Sequence, residues 1–233
     1  ASITLEVGDS FTDPGATASD TVDGDLTVDI TVTGSVNTAA AGTYTLTYKV
    51  SDEAGNAATP VTRTVVVSDT TAPVITLTGD ASITLEVGDS FTDPGATATD
   101  AVDGDLTVDI TVTGSVDTAV VGEYTLTYNV TDAANNAATP VTRTVVVSDT
   151  TAPVITLTGD ASITLEVGDS FTDPGATASD TVDGDLTVDI TVTGSVNTAA
   201  AGTYTLTYKV SDEAGNAATP VTRTVVVSDT TAP

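Results

Sequence analysis

Acidic side chains recur in one short pattern whose spacing suits metal chemistry. In the middle of the chain, Asp100, Asp103 and Asp105 follow one another as D-x-x-D-G-D, and Asp132 opens a later turn. Oxygen ligands without Cys or His select a hard cation, and Ca²⁺ tolerates irregular loop geometry better than Mg²⁺ does. The pattern therefore predicts a site for Ca²⁺, which is the expected cofactor.

The same aspartates also have a purely structural interpretation. Asp next to Gly or Pro is common in turns, where its carboxylate accepts hydrogen bonds from the nearby backbone. The spacing is not that of an EF-hand loop, because D-x-D-x-D-G with a Glu at position 12 is absent. Metal binding and simple turn formation both stay open at this point.

The residue inventory leaves little room for catalysis. The sequence contains no His and no Cys, so it offers neither an imidazole base nor a thiolate nucleophile. A Ser nucleophile would need a Lys base, and residues 81–153 contain no Lys. We therefore predict that the chain is not an enzyme.

The charge balance excludes two classes of partner. Lys and Arg number 5 against 33 Asp and Glu, which gives a net charge of −28. So acidic a chain would be repelled by nucleic acid and by anionic lipid. No stretch approaches the roughly 20 apolar residues that span a bilayer, so we expect no direct membrane insertion.

The elements that must position these aspartates come in near-identical copies. Residues 1–73 recur unchanged as 161–233, and residues 81–153 differ from them at ten positions. Self-similarity at a fixed long period indicates an array of equal structural units. Spacers, stalks and fibres gain reach from each added unit, whereas an enzyme seldom needs three copies of one site. The repeats favour a structural function over a catalytic one.

Within each copy, the hydrophobic pattern is typical of short, half-buried strands. Apolar and polar residues alternate along 44–50, 26–32, 3–7 and 75–77, and residues 61–67 are rich in β-branched side chains. Turn-forming Gly, Asp and Pro clusters separate these segments. Six or seven strands in 80 residues predict an all-β fold of antiparallel β-sandwiches.

The run GTYTLTYKVSDEAGN, a valine-rich strand and the linker SDTTAP together resemble the bacterial immunoglobulin-like modules of large surface adhesins and secreted repeat proteins. The resemblance covers all three copies and implies tandem immunoglobulin-like sandwiches arranged end to end. Tyr44 is then either the residue of a tyrosine corner or simply a core aromatic. The implied modules are 1–69, which lacks its first strand, 70–149 and 150–229, with 230–233 beginning another linker.

The linkers are short and include a proline. Pro73 fixes its own φ and biases Ala72 toward an extended conformation, so consecutive modules should have little freedom at their joint. Strands of eight or nine residues at about 3.3 Å each give modules of roughly 35–40 Å with loops. Three such modules in line would reach on the order of 110 Å.

The implied topology also brings the acidic loops of one module to the end at which the linker enters. Carboxylates converging there would repel one another by about 3 kcal/mol per close pair at an effective dielectric near 20, and a divalent cation would relieve this. The candidate ligands in the three copies and their linkers are Asp20, Asp23, Asp25, Asp52, Asp69, Asp100, Asp103, Asp105, Asp132, Asp149, Asp180, Asp183, Asp185 and Asp212.

The function predicted from these observations is a structural stalk or fibre-forming segment of a secreted, adhesin-like protein at the bacterial cell surface. Its expected partners are neighbouring modules of the same longer chain. The alternatives are a module that binds glycans or proteins, and a protomer that joins identical chains into a filament by strand donation. The first copy lacks the segment VITLTGD found at 74–80 and 154–160, so we expect an open groove there.

Overall fold

Short strands separated by tight turns make up almost all the regular structure of residues 2–232, which this computed structural model describes. The chain divides into two compact units, and the middle copy contributes to both. The first unit comprises Ala1–Ala81, Asp93–Gly114 and Leu126–Arg143, and the second comprises Ser82–Thr92, Ser115–Thr125 and Thr144–Pro233. No helix within residues 2–232 is long and apolar enough to cross a bilayer.

The strands repeat from copy to copy. The first copy contains β1 (Ser2–Glu6), β2 (Ser19–Asp20), β3 (Gly24–Asp25), β4 (Thr31–Thr33), β5 (Gly42–Lys49) and β6 (Val61–Ser68). The second contains β7 (Val74–Leu77), β8 (Ser82–Glu86), β9 (Ala96–Asp100), β10 (Gly104–Asp105), β11 (Thr111–Thr113), β12 (Gly122–Asn129) and β13 (Val141–Ser148). The third contains β14 (Val154–Leu157), β15 (Ser162–Glu166), β16 (Ala176–Asp180), β17 (Gly184–Asp185), β18 (Thr191–Thr193), β19 (Gly202–Lys209) and β20 (Val221–Ser228).

Two sheets form the third copy, as the sandwich prediction requires. The larger has the strand order β15-β20-β19-β18, and the smaller has the order β14-β16-β17. Most neighbours are antiparallel, but β15 lies parallel to β20, with Glu166 opposite Ser228. The first copy has the same larger sheet, β1-β6-β5-β4, and in the second copy β8 pairs with β13 in the same parallel register. The fold is therefore a series of immunoglobulin-like sandwiches.

The core of the third copy comes from the inward-facing positions of the alternating strands. Leu206, Tyr208 and Val210 pack with Ile155 of β14 and Ala178 of β16, and all five are at most 8% exposed. Full burial of a large apolar side chain such as Leu206 or Ile155 stabilises the fold by about 1.5–3 kcal/mol. The period-two pattern of the sequence thus identified the buried face correctly.

One predicted strand is wrong. Residues 26–32 alternate regularly, yet the chain forms a 3₁₀ turn at Thr27–Asp29 and resumes a strand only at Thr31. The carboxylate of Asp25 accepts a hydrogen bond of 2.9 Å from the Thr27 N–H, which starts the turn. Val28 points to solvent and is 91% exposed, so the alternation there does not report a buried face.

Tyr44 forms a tyrosine corner. Its hydroxyl donates a 2.9 Å hydrogen bond to the carbonyl oxygen of Ala40, four residues upstream. Tyr124 and Tyr204 make the same bond to Val120 and Ala200. The interpretation of Tyr44 as a mere core aromatic is excluded, because its ring is only half-buried and its hydroxyl is committed to the backbone.

Among the described residues, the smaller sheet of the first copy consists of β2 and β3, and a groove of about 500 Å³ runs beside them. In the third copy, β14 pairs with β16 at this place. Ala218 is 5% exposed there, whereas its counterpart Ala58 is exposed, and Val61 in the groove is 62% exposed. The groove expected in the first copy is therefore present.

Candidate functional site

A glutamate at the end of β1 holds the linker that leaves the first copy. Glu6 lies opposite Ser68 in the parallel pairing of β1 with β6, so its carboxylate reaches the residues that follow β6. It accepts hydrogen bonds from the Thr70 N–H at 2.8 Å, the Thr70 hydroxyl at 2.6 Å and the Thr71 hydroxyl at 3.1 Å. These bonds, chiefly those of Thr70, lower the pKa of Glu6 to about 2.

The same contact, which we call the glutamate clamp, occurs in all three copies. Glu86 binds Thr150 and Thr151, and Glu166 binds Thr230 and Thr231. Hydrogen bonds from the threonines lower the pKa of Glu86 and of Glu166 to about 2 as well. Sequence reasoning missed these glutamates. The signal that could have found them is the repeated pairing of a strand-terminal Glu with a Thr-Thr linker.

The linker aspartate between the first two copies meets two aspartates of the next loop. One carboxylate oxygen each of Asp69, Asp100 and Asp103 lies within 4.8 Å of the other two. Asp100 ends β9 and accepts hydrogen bonds from the N–H groups of Val102 at 2.7 Å and Asp103 at 3.0 Å. We call this group the first aspartate cluster.

The later turn that begins at Asp132 is hydrogen-bonded to the first aspartate cluster. Asp103 accepts a 2.9 Å hydrogen bond from the Ala133 N–H, which ties the D-x-x-D-G-D turn to the later turn. Asp132 accepts hydrogen bonds from the backbone N–H and side-chain amide of Asn136, both at 2.7 Å. The same amide donates to the carbonyl oxygen of Asp69 at 3.3 Å. Asn136 therefore connects the linker to its neighbouring turn.

The second aspartate cluster has the same construction from Asp149, Asp180 and Asp183, each with one oxygen within 4.8 Å of the others. Asp183 accepts from the Glu213 N–H at 3.0 Å, and the Asn216 amide donates to the Asp149 carbonyl at 3.2 Å. Asp149 is only 8% exposed. The buried Oδ2 atoms of Asp149 and Asp180 have no hydrogen-bond partner.

The electrostatics of the clusters are unbalanced. Desolvation, followed by the charges of Asp180 and Asp212, raises the pKa of Asp149. Desolvation and the charges of Asp100 and Asp132 likewise raise the pKa of Asp69. Within residues 2–232, every salt bridge joins an Arg to an aspartate outside the clusters, so no Lys or Arg forms an ion pair with a cluster carboxylate.

The other candidate ligands serve turns. Asp25, Asp105 and Asp185 lie outside the clusters, and each accepts a 2.9 Å hydrogen bond from the N–H of the threonine two residues later. Asp212 binds the side chain and backbone of Asn216, as Asp132 binds Asn136. Among the described residues, Asp20, Asp23 and Asp52 repeat the loop hydrogen bonds but are not joined by a third close carboxylate of a linker.

A partly buried arginine–aspartate ion pair lies inside each copy and was also missed by sequence reasoning. Arg223 is 0% exposed and forms a salt bridge with Asp173, which also accepts a 2.6 Å hydrogen bond from the Tyr208 hydroxyl. Arg223 donates further bonds to the carbonyls of Thr158 and Gly175. The ring of Tyr208 lies 5.7 Å from the guanidinium carbon. These bonds connect β20 of the larger sheet to residues that flank β14 and β16 of the smaller sheet. Each guanidinium nitrogen of Arg223 donates at least one hydrogen bond.

Several known proteins are similar to this chain. Hyalin of Strongylocentrotus purpuratus is 32% identical over 80% of the chain and 16% of its own length. The pesticidal crystal protein Cry22Aa of Bacillus thuringiensis is 32% identical over 93% of the chain and 31% of its own length. The chain thus spans less than a third of either relative. Immunoglobulin domains 1–4 of Sidekick-1 align with 98% of the chain and 74% of that structure at 15% identity, with a TM-score of 0.35.

The family model described as "Bacterial surface protein, Ig-like domain" matches three consecutive segments, 1–67, 75–147 and 155–227. Together these segments include all the strands of the larger sheets except the final serine of β6, β13 and β20. The chain therefore belongs to the family of bacterial surface proteins with Ig-like domains.

Proposed function

We propose that this chain is a stalk segment of a bacterial surface protein, in which tandem sandwiches hold a distant part of the protein away from the cell. The observation that carries the proposal is the glutamate clamp. A linker in which one carboxylate binds the Thr70 N–H and both threonine hydroxyl groups has little freedom to change direction. A stalk stays extended only if the linkers between its modules are stiff in this way.

Ca²⁺ at the joints is part of the proposal. The linker aspartates lie beside the aspartates of the following loop, where a divalent cation would relieve their repulsion and connect two modules. We further propose an extracellular or surface location, in keeping with the family, and no catalytic activity, since the residue inventory contains neither His nor Cys.

A second candidate function is favoured by the open groove of the first copy. Residues 16–20 there have the same sequence as 176–180, which pair with β14 in the third copy. In a longer array, a VITL segment upstream in the same chain would fill this groove. If a strand of the VITL type entered it from another chain instead, chains linked in this way would form a filament. The stalk remains the leading proposal, because the clamps occur in all three copies and the groove occurs in one.

Paired labels test the stiffness of the joints directly. The chain contains no Cys, so Val28→Cys with Val108→Cys, and Val108→Cys with Val188→Cys, place unique spin labels on side chains that are at least 91% exposed. Stiff joints give narrow distance distributions for both pairs, and the distributions should broaden when Glu6→Gln or Glu86→Gln weakens the corresponding clamp. Equally broad distributions before and after substitution would contradict the stalk proposal.

A further inference from the structure

The second aspartate cluster has the dimensions of a cation site. Asp149, Asp180 and Asp183 each place one oxygen within 4.8 Å of the other two. Oxygens bound to one Ca²⁺ at about 2.4 Å can be no more than about 4.8 Å apart. The three carboxylates could therefore contact one ion without a rearrangement of the backbone.

The environment of Asp149 independently indicates that a positive charge belongs there. Its side chain is more than nine-tenths buried at 8% exposure, and its Oδ2 is enclosed without any donor. Asp180 Oδ2 is also enclosed without a donor. Turn formation accounts for only the other oxygen of each residue, since Asp149 Oδ1 accepts from Thr151 and Asp180 Oδ1 accepts from Val182. Buried carboxylate oxygens without a partner are costly, and a bound cation removes that cost.

The ligand chemistry selects the ion. The side chains of the cluster offer only carboxylate oxygens as ligands. The sequence contains no His and no Cys, so neither an imidazole nitrogen nor a thiolate sulfur is present. Such sets bind hard divalent cations, and loop-borne ligands suit Ca²⁺, which takes six to eight oxygens in flexible geometry. Asp212 adds a fourth nearby negative charge without giving up its bonds to Asn216.

We propose that one Ca²⁺ binds at Asp149, Asp180 and Asp183, and another at Asp69, Asp100 and Asp103, so that residues 1–233 bind two ions. The second site follows from the first, because the linker and loop carry the same aspartates and Asp100 Oδ2 is again enclosed without a donor. This inference rests on the proposed stalk function and identifies what would regulate its joints. It excludes Asp25, Asp105 and Asp185 as ligands.

The identical first and third copies supply a matched control. Asp20 and Asp180 occupy the same loop sequence and accept the same bonds from the residues two and three positions later. Asn retains an acceptor oxygen for the turn but removes the charge. Asp180→Asn should therefore abolish one binding event, whereas Asp20→Asn should abolish none. If the aspartates serve turns alone, the two variants behave alike.

Calorimetric titration of the full chain with CaCl₂, and separately with MgCl₂, measures this. We expect two Ca²⁺ per chain, weaker Mg²⁺ binding, one Ca²⁺ for Asp180→Asn or Asp149→Asn, and two for Asp20→Asn or Asp185→Asn. Absence of Ca²⁺ binding up to millimolar concentration, or equal losses in Asp20→Asn and Asp180→Asn, would overturn the sites. Narrow label distances in a chain that binds no Ca²⁺ would overturn the sites alone, whereas two bound ions with broad distances would overturn the stalk alone.

Discussion

Glu6 accepts hydrogen bonds from both the N–H and the hydroxyl of Thr70, a residue 64 positions later in the chain. The parallel pairing of β1 with β6 makes this contact possible, because it ends with Glu6 beside the start of the linker. A local feature of one sheet therefore determines the course of the chain toward the next module.

The glutamate clamps predict that the stability of the folded chain decreases at acidic pH. The pKa of Glu6, Glu86 and Glu166 is about 2 in the folded chain against an ordinary 4.5, so the folded state favours the ionised carboxylate. The resulting stability is fully present above pH about 4.5 and is lost as the pH falls toward about 2. Melting temperatures across this range should fall less steeply for Glu6→Gln/Glu86→Gln/Glu166→Gln than for the unmodified chain. Parallel slopes would show that the clamps do not matter.

Replacing an arginine of the ion pairs should lower the free energy of unfolding most where the arginine side chain is fully enclosed. Arg223→Ala removes the charged partner of Asp173 and the side-chain donor to the carbonyls of Thr158 and Gly175, while Asp173 keeps its bond from Tyr208. Loss of one partner of a fully buried pair costs on the order of 3–5 kcal/mol, and we expect a smaller loss because the Asp173 side chain is 27% exposed. Arg63→Ala is the matched variant. Because its side chain is 14% exposed, against 0% for Arg223, we expect a smaller loss. Urea unfolding measures both, and a larger loss for Arg63→Ala would contradict the account.

Gly194 should not tolerate a side chain. Its φ is 102°, and a Cβ would collide with the carbonyl oxygen of Thr205. Gly168 has a φ of 95° but open space around the same position, so Gly168→Ala isolates the conformational cost, on the order of 1 kcal/mol. Gly194→Ala should lower the free energy of unfolding by clearly more than Gly168→Ala. Equal losses in a denaturant titration would exclude the steric cause.

The open groove of the first copy should bind a strand. An added VITLTGD peptide is expected to shift the backbone amide NMR signals of residues 16–20, because residues 176–180 pair with that sequence in the third copy. The signals of residues 176–180 should stay in place, since β14 already occupies their groove. A peptide with Asp in place of Ile is the control, because it cannot fill the pocket that buries Ile155 to 8% exposure. Unchanged signals at 16–20 would remove the support for strand donation.

The sequence predicted the strands best where alternation and burial agree. In β19, Leu206 and Tyr208 face the core as their spacing requires. It failed where alternation had no buried partner, as at Val28, whose segment turns after Asp25 instead of continuing as a strand. Period-two patterns report a potential face, and only the surrounding strands decide whether that face is covered.

The candidate site was predictable in part for a similar reason. The resemblance to an Ig-like topology placed Asp69 near Asp100 and Asp103, and the structure brings these three together. The local spacing D-x-x-D-G-D gave no means of separating Asp103, which lies in the cluster, from Asp105, which lies outside it and accepts a hydrogen bond from the Thr107 N–H. The role of Glu6 was not predictable from the local sequence, because its partners lie 64 and 65 residues away. A Glu at the end of a strand also ordinarily faces solvent.

We propose that stiff joints with bound Ca²⁺ hold the modules in line, and small-angle X-ray scattering of the full chain tests this proposal most directly. With saturating Ca²⁺ we predict a maximum dimension of about 110 Å, the sum of three sandwiches in line. With chelator, the pair-distance distribution should broaden and shorten, as it should in Ca²⁺ for an Asp100→Asn/Asp180→Asn chain. A compact particle in Ca²⁺, or profiles identical with and without chelator, would contradict the claim.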